Sequence, residues 1–322
     1  MSNASNAPRG SSWRAPGEQP RDLKRQPVVQ ALIRLVRPRQ WTKNTVCLAA
    51  LIFSGKLSDA GARRHAIIVF LAFCLASSAV YIVNDIRDVD ADRAHPVKRH
   101  RPLAAGNVDI GAALVWALAL AAGSVALSLV LLPRARVELG SFLVLNLLYS
   151  MWLKTIPILD VMAIAAGFVL RVQAGVDAIG APQSAWIVLT MFFMALFLGF
   201  TKRRGEMTNL GAETGRGHRL VLASYSIGFV DMLLGLSATT ALVCYSLYAV
   251  TVQANETFLL TVLPVVFGIA RYMMLVLVED AGGEDPGEIL TRDGPLVLAV
   301  LAWVVLCVAV IYFDLRLFPA RP

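Results

Sequence analysis

The sequence predicts an all-α integral membrane protein with nine transmembrane helices. Of its 322 residues, 57% are hydrophobic and only 16% are charged, whereas about a quarter of a typical soluble domain is charged. Nine apolar runs are each close to the length that a helix needs to cross a bilayer. The net charge of +8 comes from basic residues near the ends of these runs, which is a signal of membrane topology. Nucleic acid is not an expected partner, because no soluble domain remains to carry a binding face.

The chain begins with a polar segment before the first apolar run. Residues 1–27 are rich in Ser, Asn, Pro, Arg and Gln and have no apolar core, so we expect a disordered cytoplasmic tail and not a signal peptide. Pro27 to Pro38 is a short basic amphipathic segment that is expected to lie at the membrane interface. Residues 28–322 are expected to form one transmembrane domain. By hydropathy, its spans are approximately 41–57, 65–84, 108–132, 138–154, 158–178, 184–202, 226–251, 257–278 and 294–315.

Charge asymmetry sets the predicted orientation. With the N-terminus inside, the inside loops carry twelve Lys and Arg residues, and the N-terminal segment through Lys43 carries nine more. The outside loops and the C-terminus carry seven. Because basic residues are retained on the cytoplasmic side, the N-terminus and the long loops 85–107, 203–225 and 279–293 are predicted to be cytoplasmic, and the C-terminus outside. All candidate reactive groups then lie on one side.

An acidic motif follows the second span, in the stretch Asn84-Asp85-Ile86-Arg87-Asp88-Val89-Asp90-Ala91-Asp92. Asp85, Asp88 and Asp92 have the spacing i, i+3 and i+7, which places them on one face of a helix. Clustered carboxylates with a basic cluster behind them suit Mg²⁺ that bridges to a diphosphate. Asn84 can donate to a phosphate oxygen, and Asp90 is expected to be solvated. A solvated acidic helix end is the alternative. The basic residues that could hold phosphates are Arg93, Lys98, Arg99 and Arg101.

A second polar motif, Lys202-Arg203-Arg204-Gly205-Glu206, ends the sixth span. Lys202 and Glu206 are four residues apart and therefore share a helix face. We interpret Lys202 and Arg203 as site residues and Arg204 as a residue that orients the helix. A basic helix end that only follows the positive-inside rule is the alternative. Because this span ends four spans after the one at Asn84, the pattern favours two four-helix halves plus a ninth helix.

Three further polar features stand in or beside spans. Lys154 and Asp160 bracket a turn, and Arg171 lies inside an apolar span. An arginine at that depth is costly and normally faces the bundle interior. Arg171 therefore either binds an anionic group or pairs with a buried acid such as Asp177. The acidic loop 279–288 is either solvated or a lid over the site.

The first motif, Asn84-Asp85-x-x-Asp88-x-x-x-Asp92, followed by Lys98, Arg101-Pro102 and Gly106, resembles the first signature of the UbiA prenyltransferase superfamily. The resemblance implies a UbiA-like bundle of two four-helix halves around a central cavity, with a cytoplasmic cap and a lateral opening for lipid. Aromatic prenyltransferases of this superfamily carry a second aspartate-rich motif after the sixth span. This chain has Lys202-Arg203-Arg204-Gly205-Glu206 there, so one magnesium site looks lost and replaced by cations.

This departure, together with Arg37-Pro38-Arg39-Gln40-Trp41-x-Lys43-Asn44 and Arg292-Asp293, resembles the decaprenyl-phosphate phosphoribosyltransferase branch. That resemblance implies Mg²⁺-dependent transfer of a 5-phosphoribosyl group from phosphoribosyl diphosphate to a polyprenyl phosphate, with release of diphosphate, for cell-envelope glycan synthesis at the bacterial inner membrane. Asp85, Asp88 and Asp92 are then the expected catalytic and metal-binding residues. The expected substrate-binding residues are Lys43, Asn84, Lys98, Arg101, Lys154, Arg171, Lys202, Arg203 and Glu206. Membrane phospholipids are expected around the chain, and association with further copies of it is left open.

Three alternatives remain at this stage. The first is an aromatic prenyltransferase of the 4-hydroxybenzoate type that uses a polyprenyl diphosphate; the missing second aspartate motif weighs against it. The second is a membrane lipid transporter, against which the one-sided polar groups weigh, since transporters place ionisable groups near the midplane. The third is a non-catalytic assembly subunit, against which the concentration of carboxylates in the first motif weighs.

Overall fold

The structure is a computed structural model that describes residues 27–95, 97–210, 220–253, 255–279 and 286–317. Within these ranges the chain is helical and contains no β-strand, which confirms the all-α prediction for this part of the chain. Residues 1–26 of the predicted tail lie outside the described residues, and so do residues 280–285 of the predicted lid.

Twelve α-helices occur in the described ranges. They are α1 Val28–Val36, α2 Ala49–Phe53, α3 Ala60–Arg87, α4 Val89–Ala94, α5 Ile110–Ser128, α6 Pro133–Met151, α7 Leu159–Ala178, α8 Ala185–Leu210, α9 Ile227–Thr251, α10 Val262–Leu277, α11 Pro286–Arg292 and α12 Gly294–Phe313. Short 3-10 segments connect several of them, at Pro38–Leu48, Lys98–His100, Leu153–Thr155, Leu220–Ser224 and Glu256–Thr261.

Seven helices in the described residues are long and apolar enough to cross a membrane: α3, α5, α7, α8, α9, α12, and α10 with the 3-10 turn before it. The predicted count of nine is not confirmed. The predicted span 138–154 forms α6, whose first turns carry Arg134, Arg136 and Glu138 and so shorten its apolar stretch. The predicted span 41–57 forms the 3-10 segment Pro38–Leu48 and the short helix α2.

The helices expose apolar outer faces and pack closely in the interior of the bundle. The outer faces of α5, α9 and α12 expose apolar side chains such as Val115, Met232 and Leu298, as expected for a surface against hydrocarbon. Inside, glycines allow backbones to approach closely. A Cβ atom added at Gly175 of α7 would lie 2.1 Å from the carbonyl oxygen of Cys47, so the 3-10 segment packs directly on α7.

Helix direction brings the polar residues to one end of the bundle, which we call the motif end. There lie the C-terminal ends of α3, α6, α8 and α10 and the N-terminal ends of α7, α9 and α12. Ion pairs across these ends hold them together: Lys154–Asp88, Arg203–Asp160, Arg204–Asp231 and Arg271–Asp293. The Asp293 carboxylate also caps α12 by accepting from the Leu296 amide at 2.9 Å. Its hydrogen bond with Arg271 lowers its pKa.

Candidate active site

The aspartate motif is divided between two helices. Helix α3 ends at Arg87 and α4 begins at Val89, while the backbone of Asp88 leaves the helical region at φ −94° and ψ 8°. Asp85 and Asp92 still face one group, Nη1 of Arg101, whereas Asp88 faces Lys154. Asp85 and Asp92 are buried, whereas Asp88 is half-exposed at the kink.

Two guanidinium groups hold the buried carboxylates. Nη1 of Arg101 donates to Oδ1 of Asp85 at 3.0 Å and to Oδ2 of Asp92 at 2.7 Å. Nη2 of Arg37 donates to both oxygens of Asp85, at 2.6 and 2.8 Å. The Arg37 guanidinium also lies 5.3 Å from the centre of the Tyr81 ring. Arg101, which the sequence analysis expected to bind substrate, is therefore brought directly to the motif.

Arg37 contacts the motif, although the sequence did not single it out. It lies 48 positions from Asp85 in the sequence. Only the stretch from Arg37 to Asn44, which contributed to the family resemblance, indicated a role for it. The structure positions it at the C-terminal end of α1, where its backbone adopts a left-handed conformation with φ 54°.

The outer side of the motif contacts the end of α6. Nζ of Lys154 lies 3.4 Å from Oδ1 of Asp88. The Ser150 hydroxyl donates to Oδ1 of Asn84 and also to the carbonyl oxygen of Asn146. The predicted residues Asn84, Asp88 and Lys154 are therefore brought together, and Ser150, which sequence reasoning also missed, fixes the Asn84 side chain.

The second motif forms an internal ion-pair network at the motif end. Arg203 is buried; its Nε donates to Oδ2 of Asp160 at 2.7 Å, and its Nη1 donates to Oε2 of Glu206 at 2.5 Å. The Tyr225 hydroxyl donates to Oδ1 of Asp160 at 3.0 Å. Burial raises the pKa of Tyr225 to about 12, so the hydroxyl keeps its proton for this hydrogen bond. Arg203 therefore orients Glu206 and joins α8 to α7, while the half-buried Lys202 lies beside it.

Arg204 points to a different set of partners. Its Nε donates to Oδ1 of Asp231 at 2.9 Å and its Nη1 to the carbonyl oxygen of Val276 at 2.7 Å. It thus connects α8 to α9 and α10, in agreement with the expectation that it orients the helix.

Arg171 lies deep in the bundle. Its Nε donates to Oδ1 of Asn44 at 2.7 Å and its Nη1 to the carbonyl oxygen of Gly167 at 2.9 Å. The guanidinium stacks 4.4 Å from the centre of the Phe142 ring. Asp177 instead accepts from the Gln183 amide at 2.9 Å. The partner seen for Arg171 is therefore Asn44 and not Asp177, and binding of an anion by Arg171 stays a prediction.

Two further lysines that were predicted to bind substrate, Lys43 and Lys98, lie near Arg37 and Arg101 in the sequence. Lys43 is half-buried on the 3-10 segment that follows Arg37, and Lys98 is exposed on the 3-10 turn that precedes Arg101. Asp90 is exposed and pairs with Arg93 at 3.0 Å, as expected for a solvated side chain.

The chemistry of the motif fits a divalent cation. Asp85, Asp88 and Asp92 offer only oxygen donors, and Mg²⁺ in proteins typically uses one or two carboxylates together with substrate phosphates. Asp85 and Asp92 already share one positive group, Nη1 of Arg101, which stands in for a cation between them. Across the described ranges, no three acidic, histidine or cysteine side chains converge on one point. The carboxylates of Asp85 and Asp92, with Asp88 beside them, therefore fit a metal ion whose other ligands are substrate phosphates.

Comparisons with known proteins identify the family of the chain. The model of the UbiA prenyltransferase family matches residues 45–286. The chain is 37% identical over 302 residues to the decaprenyl-phosphate phosphoribosyltransferase of Mycolicibacterium smegmatis, covering 89% of this chain and 94% of that protein. It is 35% identical over 303 residues to the Corynebacterium glutamicum protein of the same name, covering 90% of each. The fold matches that of a UbiA homolog from Archaeoglobus fulgidus bound to GPP and Mg²⁺, with a TM-score of 0.68 and 19% identity over 87% of this chain and 99% of that chain.

Proposed function

Because the chain belongs to the UbiA prenyltransferase family, we propose that it transfers a 5-phosphoribosyl group from phosphoribosyl diphosphate to a polyprenyl phosphate. The observation that carries this proposal is 34–37% identity, over about nine-tenths of the chain, to four proteins named decaprenyl-phosphate phosphoribosyltransferase. The motif at Lys202 supports the same choice, because it places cations where aromatic prenyltransferases carry a second aspartate motif.

The chain's own residues bind and align the reactants. Asp85, Asp88 and Asp92 would hold Mg²⁺, which would neutralise the diphosphate and stabilise it as a leaving group. An oxygen of the lipid phosphate bonds to the ribosyl C1 while the C1–O bond to diphosphate breaks, and the electron pair leaves with diphosphate. The nucleophile is already ionised, so alignment and charge stabilisation are the main contributions of the protein.

The 5-phosphate and the lipid phosphate need further cations. Lys154 and Lys202, at the motif end, are assigned to these groups, with Lys43, Lys98 and Arg171 as the other predicted contacts. Arg203 is nearly inaccessible and already paired with Asp160. Its contribution to substrate binding is therefore to hold Glu206 and to position the end of α8.

The finer topology belongs to the same proposal. We assign α6 and the segment from Pro38 to Phe53 as the two remaining spans, which gives nine spans in one catalytic domain over residues 28–322. The motif end then faces the cytoplasm of a bacterial cell and the C-terminus lies outside, as the charge asymmetry predicts.

The proposed activity is tested directly with the purified full-length chain. The protein is incubated with ribose-labelled phosphoribosyl diphosphate, Mg²⁺ and a polyprenyl phosphate, and the lipids are extracted. We expect label in a lipid-linked phosphoribose and an equal amount of diphosphate in the aqueous phase. Absence of labelled lipid with a folded protein would contradict the proposed function.

A further inference from the structure

Arg37 and Arg101 occupy the carboxylate oxygens that a metal ion at this motif would need. We infer that these two arginines are internal counterions that compete with the divalent cation for Asp85 and Asp92. The metal then binds tightly only together with the phosphate groups of the donor. This inference rests on the proposed function, because it assumes that the aspartate motif is the metal site.

The buried pair of Asp85 and Asp92 is already balanced in charge. The side chains of Asp85 and Asp92 are only 4% and 6% exposed. Two buried carboxylates that face the same group would repel each other and bear a large desolvation cost without a cation. Arg101 contacts one oxygen of each, and Arg37 contacts both oxygens of Asp85. Two positive groups therefore already balance the two negative ones.

Replacement of the two guanidinium groups by a metal ion alone would be costly. A metal ion that took both carboxylates would leave two guanidinium groups without their partners. Their side chains are 26% and 31% exposed, so water would solvate each of them only in part. A diphosphate supplies pairs of oxygens that can each accept a hydrogen bond from one guanidinium group. Metal and donor together therefore exchange every Asp–Arg contact for an Asp–metal or an Arg–phosphate contact, whereas metal alone does not.

The backbone at Arg37 is held in an unusual conformation. This residue holds φ 54° at the end of α1, a conformation that is unfavourable for a residue with a side chain. The segment that positions it also packs through Cys47 against Gly175. Tertiary packing thus fixes the backbone of Arg37 beside α3, and the Asp85 carboxylate and the Tyr81 ring hold its guanidinium.

A purely structural role would give the opposite response to substitution. If Arg37 and Arg101 only pinned α1 and the 98–101 turn to α3, their removal would loosen the motif and weaken metal binding. If they compete with the cation, their removal leaves buried carboxylates that attract it. The sign of the change in metal affinity therefore separates the two roles.

The experiment measures Mn²⁺ binding to the full-length chain in detergent, with neither donor nor lipid present, from the electron paramagnetic resonance signal of free Mn²⁺. We expect Arg101→Gln to bind Mn²⁺ about tenfold more tightly or better, since a charge-assisted hydrogen bond has been lost from the competing state. Arg37→Gln should change the affinity in the same direction. Arg316→Gln is the matched control, because its exposed pair with Asp314 is remote from the motif, and it should bind Mn²⁺ as the parent does.

Adding phosphoribosyl diphosphate supplies the second readout. With the Mn²⁺ bound by the donor alone subtracted, the donor should tighten Mn²⁺ binding strongly in the parent chain and much less in Arg101→Gln. That variant has no Arg101 guanidinium to release from Asp85 and Asp92. Asp92→Asn in the Arg101→Gln background should abolish the gain and so locate the ion. If Arg101→Gln does not fold, Arg37→Gln carries the comparison. Unchanged or weaker Mn²⁺ binding by the folded arginine variants would overturn the inference.

Failure of the proposed function would give a different experimental result from failure of this inference. In that case the parent chain would form no lipid-linked phosphoribose, whatever the Mn²⁺ affinities are. Normal phosphoribosyl transfer with Mn²⁺ affinities that do not respond to Arg37 or Arg101 would refute this inference alone.

Discussion

Asp85 and Asp90 differ in burial although only five positions separate them. Asp85 is buried between Arg37 and Arg101, whereas Asp90 is exposed and pairs with Arg93 on the surface. The two carboxylates have the same chemistry, so their surroundings decide which of them serves the site. An exposed ion pair contributes little to stability, which makes Asp90 a suitable control for Asp85.

Asp85→Asn is expected to reduce phosphoribosyl transfer by about a hundredfold or more, because a charged metal ligand becomes neutral. The protein should remain folded, since the amide still accepts hydrogen bonds from the arginines. Asp90→Asn should transfer at the parental rate. The measurement is labelled lipid formed per minute at saturating Mg²⁺, with size-exclusion chromatography as the check on folding. Comparable rates for Asp85→Asn and the parent would contradict this assignment.

A substitution at Arg203 tests whether this residue of the second motif has a structural role. Arg203 and Asp160 are 1% and 0% exposed and lie 2.7 Å apart. Removing one member of such a pair leaves a buried charge without compensation, which costs about 3–5 kcal/mol. We therefore expect Arg203→Ala to lower the thermal unfolding midpoint in detergent clearly, with Arg316→Ala unchanged.

A double variant separates the charge from the packing. Asp160→Leu with Arg203→Leu should recover part of the lost stability, because apolar residues of similar volume often replace buried pairs without loss. If Arg203→Ala unfolds at the parental temperature but uses phosphoribosyl diphosphate poorly, Arg203 is a direct substrate ligand. The structural account of this residue would then be wrong.

At the scale of elements, the contact between the 3-10 segment Pro38–Leu48 and α7 depends on one glycine. A Cβ atom at Gly175 would lie 2.1 Å from the Cys47 carbonyl oxygen, whereas one at Gly140 of α6 would meet no atom within 4 Å. Gly175→Ala should therefore displace the segment, at an overpacking cost of about 1–3 kcal/mol. Gly140→Ala should cost nothing. Thermal unfolding of the two alanine variants checks this, and equal midpoints would contradict the packing described here.

Hydropathy was sufficient to predict the long apolar helices, because length and composition are local properties. It was insufficient for α6 and the first predicted span, where Arg134, Glu138 and the polar residues around Lys43 interrupt the apolar pattern. The spacing of Asp85, Asp88 and Asp92 identified the motif but not the kink at Asp88.

The side chains that the arginines contact could not be predicted from the sequence. Arg37 meets Asp85 across 48 positions and Arg171 meets Asn44 across 127. Such contacts depend on how α1, the 3-10 segment and α7 pack, which no local pattern encodes. The same limit explains why Arg203 was expected in the substrate site: the sequence shows a cation but not its buried partner, Asp160.

At the scale of the whole molecule, the asymmetry of charge fixes the expected orientation. All four native cysteines are buried, so an introduced cysteine reports its own position. Lys98→Cys should react with an impermeant maleimide only from the cytoplasmic side, and Val252→Cys only from outside. Comparison of intact cells with inverted vesicles is the measurement. Labelling of both positions from the same side would contradict the nine-span topology.

Donor choice is the central claim, because the same fold occurs in a UbiA homolog bound to GPP. Geranyl diphosphate has one anionic head and an apolar tail, whereas phosphoribosyl diphosphate brings a second phosphate for the cations at the motif end. The most direct measurement is a side-by-side assay of the purified chain with two donor–acceptor pairs. One pair is phosphoribosyl diphosphate with polyprenyl phosphate, and the other is geranyl diphosphate with 4-hydroxybenzoate. We expect lipid-linked phosphoribose from the first pair and no prenylated acid from the second. Prenylation of 4-hydroxybenzoate without any lipid-linked phosphoribose would contradict the proposed function.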